Sequence, residues 1–243
     1  MTQANTDNSV AAPNRDLLLW WHDFYLPVFE YMLPQLGDLR GKRILELGAG
    51  TGGTTVMLAK HGASVTGIDL LPFRLVEAGE RAKEYSVADS VQFALMDAMK
   101  LAFEDNTFDF IISKSVLVFT DHGRAAQECY RVLRPGGKAV FIENMRNHPA
   151  VWLYRKFFIR YSTNLHYFSM ADVMRFGGHF DRLEHREFHL LAVGALFWKN
   201  LFPVSSLYQL YLKGLRTIDK GLLKLCPPLS RFCWITAMIC GKT

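Results

Sequence analysis

Short apolar runs alternate with longer amphipathic stretches along residues 40–143. The runs have the length of buried strands, and the stretches between them repeat their apolar positions at the spacing of a helix. The pattern predicts strands at Arg43–Leu47, Ser64–Ile68, Val91–Leu95, Phe108–Ile112 and Lys138–Ile142, and helices at Thr54–Lys60, Pro72–Tyr85 and Asp121–Leu133. Strands that alternate with helices favour right-handed crossovers, so this region predicts a parallel sheet covered by helices.

The flanking segments extend this α/β unit. Residues 15–37 predict an aromatic-rich helical cap, whereas the polar residues 1–14 predict a frayed start. Two later strands are predicted at Leu183–Val193 and Phe232–Cys240, with a helical insertion over residues 194–228 between them. Because 243 residues can bury one sizeable core, we expect residues 1–243 to form a single domain.

The insertion has an amphipathic pattern of its own. Apolar residues that step by three and four predict one stripe: Val204, Tyr208, Tyr211, Leu215, Ile218, Leu222 and Leu225. The predicted opposite face is basic and contains Lys213, Arg216, Lys220 and Lys224. Three interpretations fit: a packed helix with a solvated basic face, a helix over residues 203–225 that lies on anionic lipid and admits a hydrophobic acceptor, or, least favoured, a nucleic-acid contact.

Charge and cysteine content narrow the function classes. Residues 1–149 carry 15 Lys and Arg against 18 Asp and Glu, whereas residues 150–243 carry 13 against 5. The basic second half suits an anionic surface or substrate. The four cysteines lack the close spacing of zinc ligands, so no metal site is expected. Without a secretion signal or an apolar run of spanning length, we expect a cytoplasmic protein, peripheral at the inner membrane surface under the lipid interpretation.

A glycine-rich loop follows the first predicted strand, where residues 44–52 read ILELGAGTG. Glycines at that point let the backbone turn tightly and aim the amides of the next helix at a ligand. Asp69 ends the second strand, where one carboxylate can accept hydrogen bonds from two ribose hydroxyls. Gly48, Gly50 and Gly53 also fit the dinucleotide pattern G-x-G-x-x-G, so nicotinamide and flavin remain alternatives at this point.

Two carboxylates favour a different ligand. Glu46 lies two residues before the first glycine, where it can face the cationic amino-acid end of a zwitterion, whereas it would repel the pyrophosphate of a dinucleotide. Asp97 follows the third strand and can accept a hydrogen bond from an adenine amino group. The tight turn at residues 133–137, LRPGG, then leads into the fifth strand.

Together these motifs closely resemble those of the class I, seven-stranded S-adenosylmethionine-dependent methyltransferases of small-molecule type, over residues 40–143. The resemblance implies a doubly wound, mostly parallel α/β sheet of seven strands whose last strand inserts antiparallel. It also implies S-adenosylmethionine as cofactor. The residues it assigns to cofactor binding are Tyr25, Glu46, Gly48, Ala49, Gly50, Gly52, Asp69, Leu70, Asp97, Ala98 and Ser113.

Several side chains near the predicted site have two interpretations. If the acceptor must lose a proton, His122 is the first candidate base, His166 the second and His22 the third, each with a structural role as the alternative. Tyr25 belongs to an aromatic face that either is core or covers the cofactor near its carboxylate. A cation beside a sulfonium is unfavourable, so Lys114 is expected to point to solvent or towards an acidic acceptor.

The acceptor is a small and hydrophobic molecule in our prediction, of lipid or secondary-metabolite type. No Asn-Pro-Pro-Tyr tetrapeptide follows the fourth strand, which argues against methylation of adenine or glutamine amides. Two alternatives stay open, a nicotinamide-dependent oxidoreductase and a non-catalytic partner subunit that kept the fold. Neither the methylated atom nor the oligomeric state follows from the sequence.

Overall fold

Strands and helices alternate along the chain much as the hydrophobic pattern predicts. A computed structural model describes residues 22–158, 165–195 and 205–243. The strands in these ranges are β1 Arg43–Leu47, β2 Ser64–Asp69, β3 Val91–Leu95, β4 Phe108–Lys114, β5 Leu133–Asn144, β6 Arg182–Phe188 and β7 Ile235–Gly241. The helices are α1 His22–Leu36, α2 Gly53–Lys60, α3 Pro72–Glu84, α4 His122–Val132, α5 Pro149–Phe158, α6 Met170–Gly177 and α7 Ser205–Leu225.

The strands form one sheet in the order β3-β2-β1-β4-β5-β7-β6. β1 to β5 pair in parallel, whereas β7 runs antiparallel to both β5 and β6. This confirms the predicted doubly wound, seven-stranded sheet with an antiparallel last strand. The strand order reverses between β1 and β4, and such a switch point opens a crevice at the carboxyl ends of the strands.

Two hydrophobic clusters fill the two sides of the sheet. The side that we call the α1 face contains buried residues of α1, α2, α5 and α7, whereas the α4 face contains those of α4 and α6. Neighbouring residues of a strand point to opposite faces. In β4, Phe110 and Ile112 accordingly belong to the α1 face and Ile111 to the α4 face.

Three predicted strand boundaries are wrong for identifiable reasons. β5 starts at Leu133 instead of Lys138, because the Pro-Gly-Gly turn stays in the sheet and Leu133 pairs with Phe108 across a register shift. β6 ends at Phe188 instead of Val193, because the next residue, His189, has a φ of 66° and ends the extended run. β7 starts at Ile235, after a 3₁₀ helix that contains the two prolines before it.

The predicted apolar stripe on α7 is only partly the face that packs on the domain, because Tyr208 and Leu215 of the stripe contact the core and others are exposed. Tyr208 and Leu212 are buried, whereas Tyr211, Ile218 and Leu225 are exposed, so the inward face is rotated from the predicted one. Val204 lies outside the described residues.

Two charged residues explain this rotation of α7. The buried carboxylate of Asp219 accepts hydrogen bonds from the backbone amides of Leu190 (3.0 Å), Leu191 (2.7 Å) and Ala192 (3.2 Å). Arg216, which the pattern places on the outer basic face, turns inward and donates to the backbone oxygen of Asp23. A buried charge without partners is costly, so α7 adopts the rotation in which Asp219 and Arg216 reach these backbone groups.

Candidate functional site

A cavity of about 610 Å³ lies where the parallel strands end beside the switch point. Four successive loops line it, with Gly48 after β1, residues 69–71 after β2, residues 96–99 after β3 and residues 114–116 at the tip of β4. Asn144, Leu165 and Tyr167 line it from the other side. We call this space the switch-point cavity.

The glycine loop approaches the cavity in a conformation that other residues disfavour. Gly48, Gly50 and Gly52 have φ values of 65°, 53° and 81°. At Gly48 a Cβ atom would also lie 2.2 Å from a methyl carbon of Val116, so a side chain there would displace the turn after β4. Ala49 is buried, and its amide donates to the carbonyl oxygen of Ile68 over 2.8 Å, which fixes the loop against β2.

Two predicted carboxylates line the cavity at the ends of adjacent strands. Asp69 is buried and accepts from the amide of Gly50 through Oδ2 (2.9 Å) and from that of Leu71 through Oδ1 (3.0 Å). A carboxylate oxygen can accept more than one hydrogen bond, so Asp69 can still receive two ribose hydroxyls. Asp97 accepts from the amide of Met99 over 2.8 Å through Oδ1. This donor and acceptor set fits an adenosine.

The apolar residues predicted beside these carboxylates lie in the same cavity. Leu70 is 61% exposed and Ala98 is buried, and both belong to the lining. The exposed face of Leu70 and the backbone beside Ala98 are suited to an adenine ring, which has apolar faces and polar edges.

Glu46 and Ser113 are buried under the loops and are not part of the cavity lining. The carboxylate of Glu46 accepts a hydrogen bond from the hydroxyl of Thr55, and burial raises its pKa. The hydroxyl of Ser113 donates to Glu143 over 3.4 Å. At the tip of β4, the cavity lining therefore begins at Lys114, one residue after the predicted contact.

Glu143 is a functional candidate that the sequence analysis missed. Its side chain is buried and accepts hydrogen bonds from the amides of Val116 (3.1 Å) and Leu117 (3.0 Å), which hold the turn after β4. Burial raises the pKa of Glu143 to about 7. The sequence does contain a signal for Glu143, because it directly follows the apolar run AVFI of β5. A carboxylate buried at such a position requires hydrogen-bond partners.

A chain of hydrogen-bonded polar side chains lies beside the switch-point cavity at the tip of β4. The hydroxyl of Tyr25 lies 2.8 Å from Oγ of Ser115, and Nδ2 of Asn144 donates to the same oxygen over 3.0 Å. Ser115 has a φ of 57°, and such conformations in non-glycine residues concentrate at functional sites. No local pattern in the sequence indicated Ser115 or Asn144. The guanidinium of Arg155 lies 3.5 Å above the ring centroid of Tyr167 at the rim.

The predicted bases lie next to this cavity and not in its lining. His122 and His166 line an adjoining cavity of about 700 Å³, whose wall also contains Phe119 and Tyr167 of the switch-point cavity. His122 stacks on Phe168 at 4.0 Å between centroids, and its Nε2 lies 3.0 Å from the carbonyl oxygen of His166. Burial lowers the pKa of His122. The side chain of the third candidate, His22, is outside the described residues.

Comparisons with known proteins agree with this geometry. A family model described as a methyltransferase domain matches residues 45–141. The ubiquinone/menaquinone biosynthesis C-methyltransferase UbiE of Roseobacter denitrificans is 36% identical over 117 residues, which cover 47% of this chain and 47% of that protein. The chain thus aligns with only about half the length of the curated relatives that it matches.

Solved methyltransferase structures share the fold at low sequence identity. Phosphoethanolamine N-methyltransferase 2 of Haemonchus contortus, in complex with S-adenosylhomocysteine, has a TM-score of 0.65 and 20% identity over 89% of this chain and 53% of that chain. Geranyl diphosphate C-methyltransferase of Streptomyces coelicolor A3(2) has a TM-score of 0.64 and 16% identity over 89% of this chain and 77% of that chain. The sheet order and these neighbours show the fold of the class I methyltransferases, and the domain match over residues 45–141 supports an S-adenosylmethionine-dependent methyltransferase.

Proposed function

We propose that this protein transfers the methyl group of S-adenosylmethionine to a small, hydrophobic acceptor. One observation carries the proposal: the lining of the switch-point cavity combines two carboxylates, Asp69 and Asp97, with apolar side chains that include Val116, Val118 and Phe119. The carboxylates suit a polar nucleoside, and the apolar side chains suit an apolar acceptor.

Within this proposal, the chain orients two molecules and excludes water. The bound cofactor supplies an electrophilic methyl group on a sulfonium. Asp69 accepts hydrogen bonds from the ribose hydroxyls, and Asp97 accepts one from the adenine amino group. The glycine loop lets the backbone approach the cofactor closely. Asn144, which also lines the cavity, can take a polar group of the acceptor through its amide.

A proton that the acceptor must lose has a route into the adjoining cavity. His122 and His166 lie there, so they stay our candidate bases for such an acceptor. With Nε2 of His122 directed at a carbonyl oxygen, His166 has the more available ring, since it is the exposed member of the pair.

Two of the three named relatives support an apolar acceptor, whereas the third is named for phosphoethanolamine, which is polar. The two supporting names specify a C-methyltransferase of quinone biosynthesis and a geranyl diphosphate C-methyltransferase, which are activities on molecules with hydrocarbon portions. We extend this acceptor class, but neither particular molecule, to the present chain.

A membrane surface is the source that we propose for this acceptor. The outer face of α7 presents exposed Leu207, Leu210, Tyr211, Ile218 and Leu225, and Lys213, Lys220 and Lys224 follow one side of that apolar face. Helix α5 adds exposed Trp152, Leu153, Tyr154 and Phe157. Apolar side chains flanked by lysines are typical of helices that lie in an anionic lipid interface. In the part of the chain that the structure describes, every helix is too short or too polar to cross a bilayer.

Transfer of labelled methyl groups tests the enzymatic proposal. Protein incubated with S-adenosylmethionine labelled on its methyl group and a bacterial lipid extract should move label into organic-soluble product. The Asp69→Asn variant is the matched control and should leave the label unused. Label that appears only in water-soluble metabolites would contradict the hydrophobic acceptor, and cofactor binding without any transfer would favour the non-catalytic partner subunit.

Vesicle binding tests the membrane proposal separately. Changing Lys213, Lys220 and Lys224 together to Gln should reduce binding to anionic vesicles at least tenfold, because each lysine near the surface contributes about 1 kcal/mol. Sedimentation with phosphatidylserine-containing vesicles measures this. As a charge-matched control, Gln at Lys60, Lys83 and Lys138 should change little, since these exposed lysines lie on other elements. If the wild-type protein does not sediment with the vesicles, the membrane proposal is wrong.

A further inference from the structure

Lys114 occupies a place in the switch-point cavity that no predicted role explains. It is the last residue of β4, pairs with Ile142 of β5 and belongs to the cavity lining beside Gly48. Leu47 of β1 pairs with Ser113 of β4. The residues that follow them, Gly48 of the glycine loop and Lys114 at the tip of β4, are therefore neighbours. The cation therefore lies next to the loop that approaches the cofactor.

The side chain of Lys114 does not point to solvent, which was the first of the two directions expected for it. Its Nζ lies 5.3 Å from the centroid of the Tyr25 ring, under helix α1. The hydroxyl of Tyr25 is directed away, at Ser115. Tyr25 therefore offers Lys114 the face of its ring, and its hydroxyl already has a hydrogen-bond partner.

Glu46 is the charged group that opposes Lys114. Glu46 pairs with Ile112, so Glu46 and Lys114 project to the same face of the sheet from adjacent strands. Burial lowers the pKa of Lys114, and the nearby Glu46 charge raises it. For Glu46 the two effects have opposite signs: burial raises the pKa of its carboxyl group, and the charge of Lys114 lowers it. An acid and a base thus project from adjacent strands to the same face of the sheet, close to the start of the glycine loop.

The amino-acid end of the cofactor has the complementary pair of charges. Its α-ammonium group suits a carboxylate, and its α-carboxylate suits an ammonium. A lysine close to a sulfonium would weaken binding through repulsion unless an anion lies between them. The α-carboxylate is the anion that the cofactor itself brings.

We propose that Lys114 binds the α-carboxylate of S-adenosylmethionine, the role that the sequence analysis assigned to Tyr25. Glu46, which is buried under the loop, then balances the charge of Lys114. This assignment depends on the cofactor and is independent of the acceptor. It holds whether or not the acceptor is hydrophobic, so its test differs from that of the proposed function.

Two ligands that differ in the amino-acid end test this assignment. S-adenosylhomocysteine contains the α-carboxylate, whereas 5′-methylthioadenosine lacks the whole amino-acid group. In calorimetry, Lys114→Met should weaken binding of S-adenosylhomocysteine at least 20-fold and that of 5′-methylthioadenosine less than threefold. Lys114→Arg keeps the charge and should retain affinity for S-adenosylhomocysteine within about fivefold. Lys83→Met, an exposed lysine on α3, should change neither affinity.

Three outcomes would overturn the assignment. Equal losses for the two ligands in Lys114→Met would show that the lysine only shapes the cavity. An unchanged affinity for S-adenosylhomocysteine would exclude the contact. A selective loss in Tyr25→Phe, with none in Lys114→Met, would return the role to the tyrosine hydroxyl. If circular dichroism shows that Lys114→Met does not fold, Lys114→Gln takes its place and Lys114→Arg stays the charge-retaining control. The affinities for S-adenosylhomocysteine and 5′-methylthioadenosine are then compared in the same way.

Discussion

Asp69→Asn is expected to weaken the binding of S-adenosylhomocysteine at least 100-fold while the chain stays folded. The variant loses the charge that receives two ribose hydroxyls, and a hydrogen bond to a charged group contributes about 1.5–3 kcal/mol. It also places an amide NH₂ group against the backbone amide of Gly50 or Leu71, both of which now donate to the carboxylate. Isothermal titration calorimetry of the two proteins measures the difference.

An exposed acid provides the control for this first prediction. Asp89 lies in a short 3₁₀ helix between α3 and β3, so Asp89→Asn should bind S-adenosylhomocysteine as the wild type does. If Asp69→Asn binds within threefold of the wild type, the carboxylate at the end of β2 does not hold the ribose.

Glu143→Gln is expected to gain stability relative to the wild type as the pH rises from acid to alkaline values. Burial raises the pKa of Glu143 from 4.5 to about 7, so the folded protein favours the neutral acid. A raised folded pKa contributes stability that is fully present below the unfolded value and is lost as pH rises through the folded one. The wild type should therefore lose about 3 kcal/mol relative to Glu143→Gln between pH 4.5 and pH 8.5.

Urea unfolding at the two pH values measures this difference. The neutral amide of Gln can still accept from the amides of Val116 and Leu117, so the variant should keep the turn after β4. Histidines that titrate in the same pH range contribute equally to the free energy of unfolding of the variant and the wild type, so their contribution cancels in the difference. Glu84→Gln, at the exposed end of α3, should follow the wild-type curve. Parallel curves for Glu143→Gln would contradict a buried, neutral Glu143.

The sequence predicted that the glycine loop, Asp69 and Asp97 would lie close together because each of these features is built locally. The loop from Gly48 to Gly52 takes its shape from its own glycines, and Asp69 and Asp97 each follow directly from the end of a predicted strand. Parallel strands bring their carboxyl ends to one edge of a sheet, so these motifs meet once the sheet forms.

The polar chain at the tip of β4 depends on contacts between distant segments, which no local pattern reveals. Ser115 and Asn144 meet only because β4 and β5 pair in one particular register, and Tyr25 reaches Ser115 across 90 positions of the chain. The orientation of Lys114 also depends on where α1 packs. A single sequence contains these residues but not the packing that brings them together.

Helix α7 was misoriented for a related reason. Periodicity assigns the inward face by hydrophobicity alone, whereas Asp219 binds three backbone amides that belong to the segment after β6. The partners of a buried carboxylate are backbone groups, and backbone groups have no sequence signature.

Because Asp219 holds α7 on the domain, the inward and outward faces of this helix can evolve independently of each other. Because a charged residue and a few inward side chains hold the helix, the outward side chains contribute little to folding. Natural selection can therefore change the outward surface to match a new partner without cost to the enzyme core. Among homologues, we expect the outward positions to vary with the location of the acceptor, while the acid at position 219 persists.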